Sequence, residues 1–329
     1  MHEPVRAFPR KFYMSLFWIF LGLFAAGTHV ARNLYQRRLV RPLGDRPALS
    51  RDVANAARYW VGLPFAVLVL VWLLPLSPVQ PQLSGRAILF AMLGGLAQII
   101  ATDMLIRLFQ RRAFGIGIAY QSTDNLMSAT LGPLGIAALF GLSLADDQIG
   151  VWDWLGLILA TLGVIMQSFL SLDRTQRVFD WVSLLLGLGC GLAFTVTGVA
   201  YTEAVRTLGL DRETVVSALL AGVTVLVMAL AFQSLLMAIW VQVRAPGQWA
   251  MIRQRGGDVV AIGLTSVLGS LALFTAFGLQ HPALVSTVKN LDIPLSLLAA
   301  FILYREIPSR WEWIGITLIF ASVVIIAVL

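Results

Sequence analysis

Ten apolar runs, each of about 20 residues or more, follow one another along this chain of 329 residues and restrict its fold more than any other feature. A helix that crosses a bilayer needs about 20 consecutive apolar residues, so each run can cross once. The runs occupy residues 12–31, 59–76, 86–106, 114–142, 152–172, 181–205, 214–243, 258–280, 283–304 and 311–329. Alternating segments of about ten residues, typical of membrane β-barrels, do not occur. The sequence therefore predicts an all-α membrane protein with ten transmembrane helices.

Composition and missing motifs exclude several classes of function. Hydrophobic residues make up 58% of the chain and charged residues only 12%, against about 25% in soluble domains. The single cysteine, Cys190, excludes a disulfide framework or a cysteine-based metal cluster, and we expect it to be a small packing residue. The sequence contains neither a phosphate-binding loop nor a zinc-protease or hydrolase motif. We therefore expect no enzyme activity, no catalytic residue, no cofactor and no metal site.

The distribution of arginine and lysine predicts the orientation and the partners. The net charge is +7, and 17 of the 24 basic residues lie in the odd-numbered connections between spans. The positive-inside rule then places these connections in the cytoplasm and both termini outside. Seven arginines lie in the first connection, at positions 32, 37, 38, 41, 46, 51 and 58. They are interpreted as a solvated segment that touches lipid, or alternatively as a site for anionic ligands. Membrane lipids, rather than nucleic acid, are the expected partners.

A short motif recurs at the end of each half of the chain. Residues 151–157 read VWDWLGL, and residues 310–316 read RWEWIGI. Each copy opens the last span of a set of five. Because five is odd, the second set must lie upside down relative to the first, as in many secondary transporters. The sequence thus predicts two inverted five-helix repeats, over residues 1–174 and 175–329.

Polar residues inside the fourth and ninth spans repeat the same spacing. Gln121, Asp124 and Ser128 align with Lys289, Asp292 and Ser296. Charges within a span cost roughly 2.5–3.5 kcal/mol each on insertion scales, so they usually have a function. The predicted substrate-binding residues are Gln121, Asp124, Asn125, Ser128, Lys289, Asn290, Asp292 and Ser296.

Two arrangements of these groups are possible. In the first, the two polar helix faces meet in a cavity at mid-membrane, where Lys289 binds an anionic group and Asp124 or Asp292 binds an ammonium group or a coupling proton. In the second, Lys289 and Asp292 form an internal pair that joins helices and binds nothing. Pro294 removes one backbone hydrogen bond, so a bend in the ninth span is expected.

Other polar residues within or near spans are weaker candidates. Asp103 with Arg107, and Glu203 with Arg206, are predicted to form ion pairs near span ends. His29 is interpreted as a polar residue at the membrane interface. His29 with Asp103 is the one candidate for an acid/base pair in an intramembrane enzyme.

The end of the second half resembles a known family. Residues 299–324 read AAFILYREIPSRWEWIGITLIFASVV, in which an acidic residue, Glu306, a short turn and a glycine, Gly315, follow in order. This resembles the end of the EamA-type repeat of the drug/metabolite transporter superfamily. The first half matches more loosely, with Asp146 or Asp147 at the acidic position. The resemblance implies a secondary transporter whose central cavity is lined by spans of both halves and whose last span in each half is peripheral. Family members usually have cytoplasmic termini, in conflict with the arginine count.

The leading hypothesis is a secondary transporter in the bacterial inner membrane. It would move a small organic metabolite, either amino-acid-like, drug-like or an organic anion, by alternating access. Export or exchange would be driven by a proton or substrate gradient. The alternatives are a lipid-substrate flippase and, from other classes, a membrane assembly protein without transport activity or the intramembrane enzyme.

Overall fold

The computed structural model of the chain contains helices and no strand among the residues that it describes. These are residues 10–40, 42, 48–111, 123–131, 149–166, 181–211, 213–244, 246–295, 298, 302 and 309–328. The helices are α1 (Arg10–Leu39), α2 (Arg51–Leu73), α3 (Gly85–Arg111), α4 (Thr123–Leu131), α5 (Val151–Ile165), α6 (Trp181–Arg206), α7 (Val215–Arg244), α8 (Trp249–Gln254), α9 (Gly256–Leu279), α10 (Pro282–Lys289) and α11 (Arg310–Val328). The predicted all-α class is confirmed for this part of the chain.

Six of the described helices are long and apolar enough to cross a membrane. They are Asp52–Leu76, Gly85–Leu105, Trp181–Arg206, Val215–Arg244, Gly256–Leu279 and Arg310–Ala327. Helix α5 is apolar but shorter, and α1 covers the predicted first span without being among the six. Large parts of the predicted fourth and ninth spans lie outside the described residues. The structure is thus compatible with a multi-pass integral membrane protein, and the count of ten stays a prediction.

The first backbone N–H groups of a helix have no hydrogen-bond partner within the helix, so polar groups near the helix start accept their hydrogen bonds. At α2, the Ser50 hydroxyl accepts a hydrogen bond from the Val53 backbone N–H at 3.4 Å. The two tryptophan motifs begin alike, because a carboxylate three residues into the motif accepts the backbone N–H of the preceding loop residue. The distances are 2.9 Å from Gly150 to Asp153 and 2.6 Å from Ser309 to Glu312.

Helices α5 and α11, which carry these motifs, pack against each other in antiparallel orientation. A Cβ atom built on Gly156, near the start of α5, would lie 2.5 Å from the Ile326 side chain near the end of α11. One built on Gly163, later in α5, would lie 2.8 Å from the carbonyl oxygen of Gly315, near the start of α11. Glycine is therefore required where the two backbones approach.

Two further helix pairs are antiparallel and join the first half of the chain to the second. In the pair α3 and α6, Gly94 lies against Tyr201 and Met104 lies against Gly189. In the pair α1 and α9, Gly269 lies against Thr28. Each small residue allows close packing of apolar surfaces, which is how helices associate in membranes.

An ion pair closes one end of each of these two helix pairs. Arg38, at the end of α1, lies 3.3 Å from Asp258, at the start of α9. Arg86, at the start of α3, lies 2.8 Å from Glu203, at the end of α6.

Helix α7 lies at the centre of the bundle, in contact with α2, α3 and α9. Gly222 permits its close approach to α9, since a Cβ there would lie 2.8 Å from the backbone nitrogen of Thr275. Large apolar side chains are exposed on the outer faces of neighbouring helices, among them Leu68, Trp72 and Leu185. Such surface is suited to contact with lipid rather than water.

Candidate functional site

The predicted ninth span is interrupted at the residues that carry its charges. Helix α10 ends at Lys289, Asn290 and Leu291 form a turn, and helical structure resumes at Asp292. Pro294 has no backbone N–H and cannot donate to the Asn290 carbonyl four residues earlier. That carbonyl instead accepts the N–H of Ile293 at 3.1 Å, a shorter-range bond that tightens the chain. The predicted bend is thus present as a local break, and broken helices with polar termini are a frequent feature of transporter binding sites.

The break places Lys289 opposite an aspartate of the other half. Its Nζ lies 4.0 Å from Oδ2 of Asp124 on α4, and both side chains are buried, with 7% and 4% exposed. The polar faces of the fourth and ninth spans therefore meet, as the first of the two arrangements requires. Two opposite charges at this distance in a buried setting attract strongly and hold α4 and α10 together.

Asp292 approaches a different partner, His29 of α1. The distance from Asp292 Oδ2 to His29 Nδ1 is 4.0 Å, and both side chains are largely buried. The ring of His29 packs against the backbone of α9, because a Cβ at Gly269 would lie 2.9 Å from its Cδ2 atom. His29 therefore lies inside the bundle, and its interpretation as an interfacial residue was wrong.

Hydroxyl groups extend the polar cluster on α4 toward α6. Ser128 Oγ lies 3.4 Å from Thr195 Oγ1, and the Thr195 hydroxyl lies 3.3 Å from the backbone carbonyl of Asp124. All three residues are buried. Ser128 thus lies in the same polar cluster as Asp124, while Thr195 carried no sequence signal beyond being polar within an apolar run.

Asn290 occupies the turn between the two helical pieces. It is 2% exposed, and its side-chain Nδ2 has no hydrogen-bond partner within the described part of the chain. A buried amide without a partner is costly, so this group is available to a ligand.

The remaining predicted site residues lie outside what the structure describes. Gln121 and Ser296 are not among the described residues, and for Asn125 only the helical backbone is described. Within the described residues, no group of three His, Cys, Asp or Glu side chains is placed to hold a metal ion.

A second polar cluster lies among α2, α3, α6 and α7. The Tyr201 hydroxyl donates to Gln98 Oε1 at 3.0 Å, and Gln233 Nε2 donates to the same oxygen at 2.8 Å. Neither Gln98 nor Gln233 is among the predicted substrate-binding residues. Arg58 lies near them and is only 5% exposed, so its assignment to a solvated connection was wrong.

The weaker sequence candidates divide into one confirmed pair and two errors. Asp103 and Arg107 form the predicted ion pair, at 2.8 Å. Glu203 pairs with Arg86 instead of Arg206, because α3 and α6 bring their ends together across the bundle. The proposed acid/base pair of His29 and Asp103 does not form, since His29 faces Asp292. Cys190 is buried and unpaired with another cysteine, as expected for a packing residue.

Comparison with known structures supports the fold alone. No family model matches the sequence. Among 28 matching chains of solved structures, one described as "Crystal structure of protein" aligns with a TM-score of 0.66. The alignment covers 96% of this chain and 98% of that chain, at 14% sequence identity. At this identity the likeness establishes a shared helical architecture and nothing about activity.

Proposed function

We propose that this chain is a secondary transporter that moves a small organic metabolite across the membrane by alternating access. The observation that carries the proposal is the buried contact between Lys289 and Asp124. This contact joins α10 and α4, two short helices from the two halves of the chain. Charges of this kind in an apolar bundle are expensive and typically mark a substrate or ion pathway.

The proposal includes two inverted repeats, residues 1–174 and 175–329, of the EamA type. The antiparallel packing of α5 on α11 supports it, because these helices carry the two copies of the tryptophan motif. The helix pairs support it as well. In an inverted repeat, α1 corresponds to α6 and α3 corresponds to α9. The contact between α1 and α9 must then have a counterpart between α6 and α3, and both contacts are present.

In this proposal the site holds two charged groups of different kinds. Lys289 and Asn290 offer donors to an anionic or carbonyl group of the substrate. Asp124 is the acceptor for a substrate amine, and Asp292 with His29 is the group able to bind a coupling proton. Gln121, Asn125 and Ser296 remain proposed members of the same site.

The test is transport by purified protein in proteoliposomes. Radiolabelled amino acids and organic anions are screened for uptake by the wild type, and the transported compound is then measured with Lys289→Ala and Asp124→Asn. We expect both variants to lose at least nine-tenths of the wild-type rate, because each removes a charged ligand. Rates are compared at equal amounts of monodisperse protein, so that lost folding is not counted as lost transport.

The matched control is Asp103→Asn. It makes the same chemical change in an aspartate that is 44% exposed and pairs with Arg107 near a helix end. This variant should transport at close to the wild-type rate. Wild-type rates in Lys289→Ala and Asp124→Asn would remove the site from the proposal, and no uptake of any compound by the wild type would contradict transport of the tested classes.

A further inference from the structure

Arg58 is a buried arginine that lacks a carboxylate partner. It is 5% exposed, and its guanidinium donates to the Tyr59 hydroxyl at 2.8 Å and lies 4.5 Å from the Tyr59 ring. None of the described carboxylates lies within ion-pair distance of it. Arginine stays protonated in proteins, and a buried charge without a counter-charge is strongly destabilising. A guanidinium kept in this state needs an anion that the described residues do not supply.

A small polar cavity adjoins Arg58. It lies among α2, α3, α7 and α9, and Gln98, Gln233, Ser266 and Ser270 contribute to its wall. The cavity has room for about one water. The hydroxyl of Ser266 is buried and has no hydrogen-bond partner within the described residues. This second unsatisfied group is independent of Arg58 and lines the same space.

Hydrogen-bond donors without a partner are present around the cavity. The Gln98 side-chain oxygen already accepts from Tyr201 and Gln233. The Gln233 amide nitrogen is held by that bond and by the Gly95 carbonyl at 3.0 Å. The Gln98 amide N–H groups have no hydrogen bond within the described chain and are free to donate. An arginine, a hydroxyl and an amide N–H together form a donor set suited to an oxyanion.

The charges around this part of the bundle also favour an anion. Arg32, Arg58 and Lys289 all lie close enough to His29 of α1 to interact with it electrostatically. Lys289 pairs with Asp124, whereas Arg58 forms no ion pair with a described carboxylate.

We propose that this cavity binds an oxyanion group, a carboxylate or a phosphate, with Arg58 as its cationic ligand and Ser266 as a hydrogen-bond donor. Assigning that group to the transported substrate depends on the proposed function; the binding itself does not. In this structure the cavity has room for about one water, so the oxyanion enters when the helices around it separate.

The test is direct binding of radiolabelled inorganic phosphate and radiolabelled acetate to the purified, detergent-solubilised protein in a scintillation proximity assay. The wild type should bind at least one of the two anions. Arg58→Gln should weaken binding tenfold or more, because a charge-assisted hydrogen bond is lost. Arg58→Lys, which keeps the charge, should retain part of the affinity. Arg244→Gln is the matched control, since it removes the same charge from an exposed side chain, and it should bind as the wild type does.

Ser266→Ala keeps the test decisive if Arg58→Gln does not fold. It removes a hydroxyl that has no hydrogen bond within the described residues, so the fold should tolerate it, while anion binding should weaken severalfold. Unchanged binding in Arg58→Gln overturns the proposal, as does unchanged binding in Ser266→Ala if Arg58→Gln does not fold. No binding of either anion by the wild type also overturns it.

Two further measurements identify the source of the oxyanion and separate this inference from the proposed function. Competition of the bound label by phosphatidylglycerol assigns the site to a lipid head group, and no competition assigns it to a soluble anion; both results support the site. Binding that depends on Arg58 in a protein that transports nothing would leave the anion site standing and contradict only the transporter. Transport that depends on Lys289, together with anion binding that does not depend on Arg58, would support the transporter and contradict the anion site.

Discussion

The contact between Lys289 and Asp124 makes a quantitative prediction about stability that is independent of transport. The two charged atoms lie 4.0 Å apart with both side chains buried. At an effective dielectric constant of about 20, opposite charges at this distance attract by about 4 kcal/mol. Removing one partner leaves the other charge buried without compensation, which typically costs about 3–5 kcal/mol. Lys289→Met and Asp124→Asn should each lower the free energy of unfolding by about that much.

The double variant should lose less stability than the two single variants lose together. With both charges gone, no uncompensated charge of this pair remains, so a coupling energy of about 3 kcal/mol is expected. The coupling should fall short of the full attraction because Lys289 also acts on Asp292, which loses a positive neighbour in the double variant. The three variants and the wild type are unfolded by sodium dodecyl sulfate in mixed micelles, and helix content is followed by circular dichroism.

Two results would refute this reasoning. Additive losses in the double variant would mean that the two charges do not interact, and gains in stability from either single change would mean that the pair is not buried as described. The double variant also separates structure from function: it should be more stable than the sum of the two single losses predicts and still fail to transport, because the ligands are absent.

Two further predictions concern packing and buried charge elsewhere in the bundle. Gly222→Ala should lower the melting temperature by several degrees, because its Cβ would lie 2.8 Å from the backbone nitrogen of Thr275. Overpacking of this kind costs about 1–3 kcal/mol. Gly27→Ala is the control and should not lower the melting temperature, because no atom lies within 4 Å of a Cβ built there. Arg255→Met should lower the free energy of unfolding by about 3–5 kcal/mol, since this fully buried guanidinium lies 3.1 Å from the Asp258 carboxylate and 2.7 Å from the Arg38 backbone carbonyl. Arg253→Met, at an exposed position, should change the melting temperature little. Equal effects of the two substitutions would count against the buried cluster.

The helical fold could be predicted from the sequence because the membrane leaves few alternatives. Without water, each backbone polar group must be satisfied within its own segment, so long apolar runs become helices. The boundaries were less predictable. The second span was predicted to begin at residue 59, whereas α2 begins at Arg51 and carries Arg58 into the bundle. Hydropathy measures the cost of a charge in lipid, and it contains nothing about the polar neighbours that a folded bundle provides.

The sequence predicted which helices carry the candidate site, but not which side chains contact each other there. Spacing placed Lys289 and Asp292 on one face, which allowed an internal pair equally well. The break at Asn290 turns Lys289 toward Asp124 and Asp292 toward His29, so tertiary packing sets which side chains meet. The role of His29 could not be read from the sequence, because a histidine near the end of an apolar run has the same pattern at an interface and in a core.

The described ion pairs between distant residues share one property that follows from neither helix packing nor hydropathy. Each joins the first 174 residues to the remainder: Arg38 to Asp258, Arg86 to Glu203, Asp124 to Lys289, and His29 to Asp292. The pairs within one half are local contacts, three or four residues apart. Apolar contacts are nondirectional and survive small rotations, whereas an ion pair loses much of its attraction when its partners separate by a few ångströms. Movement of one half against the other would therefore change the electrostatic energy of this chain more than the energy of its apolar core, which is the property that a carrier controlled by a charged substrate requires.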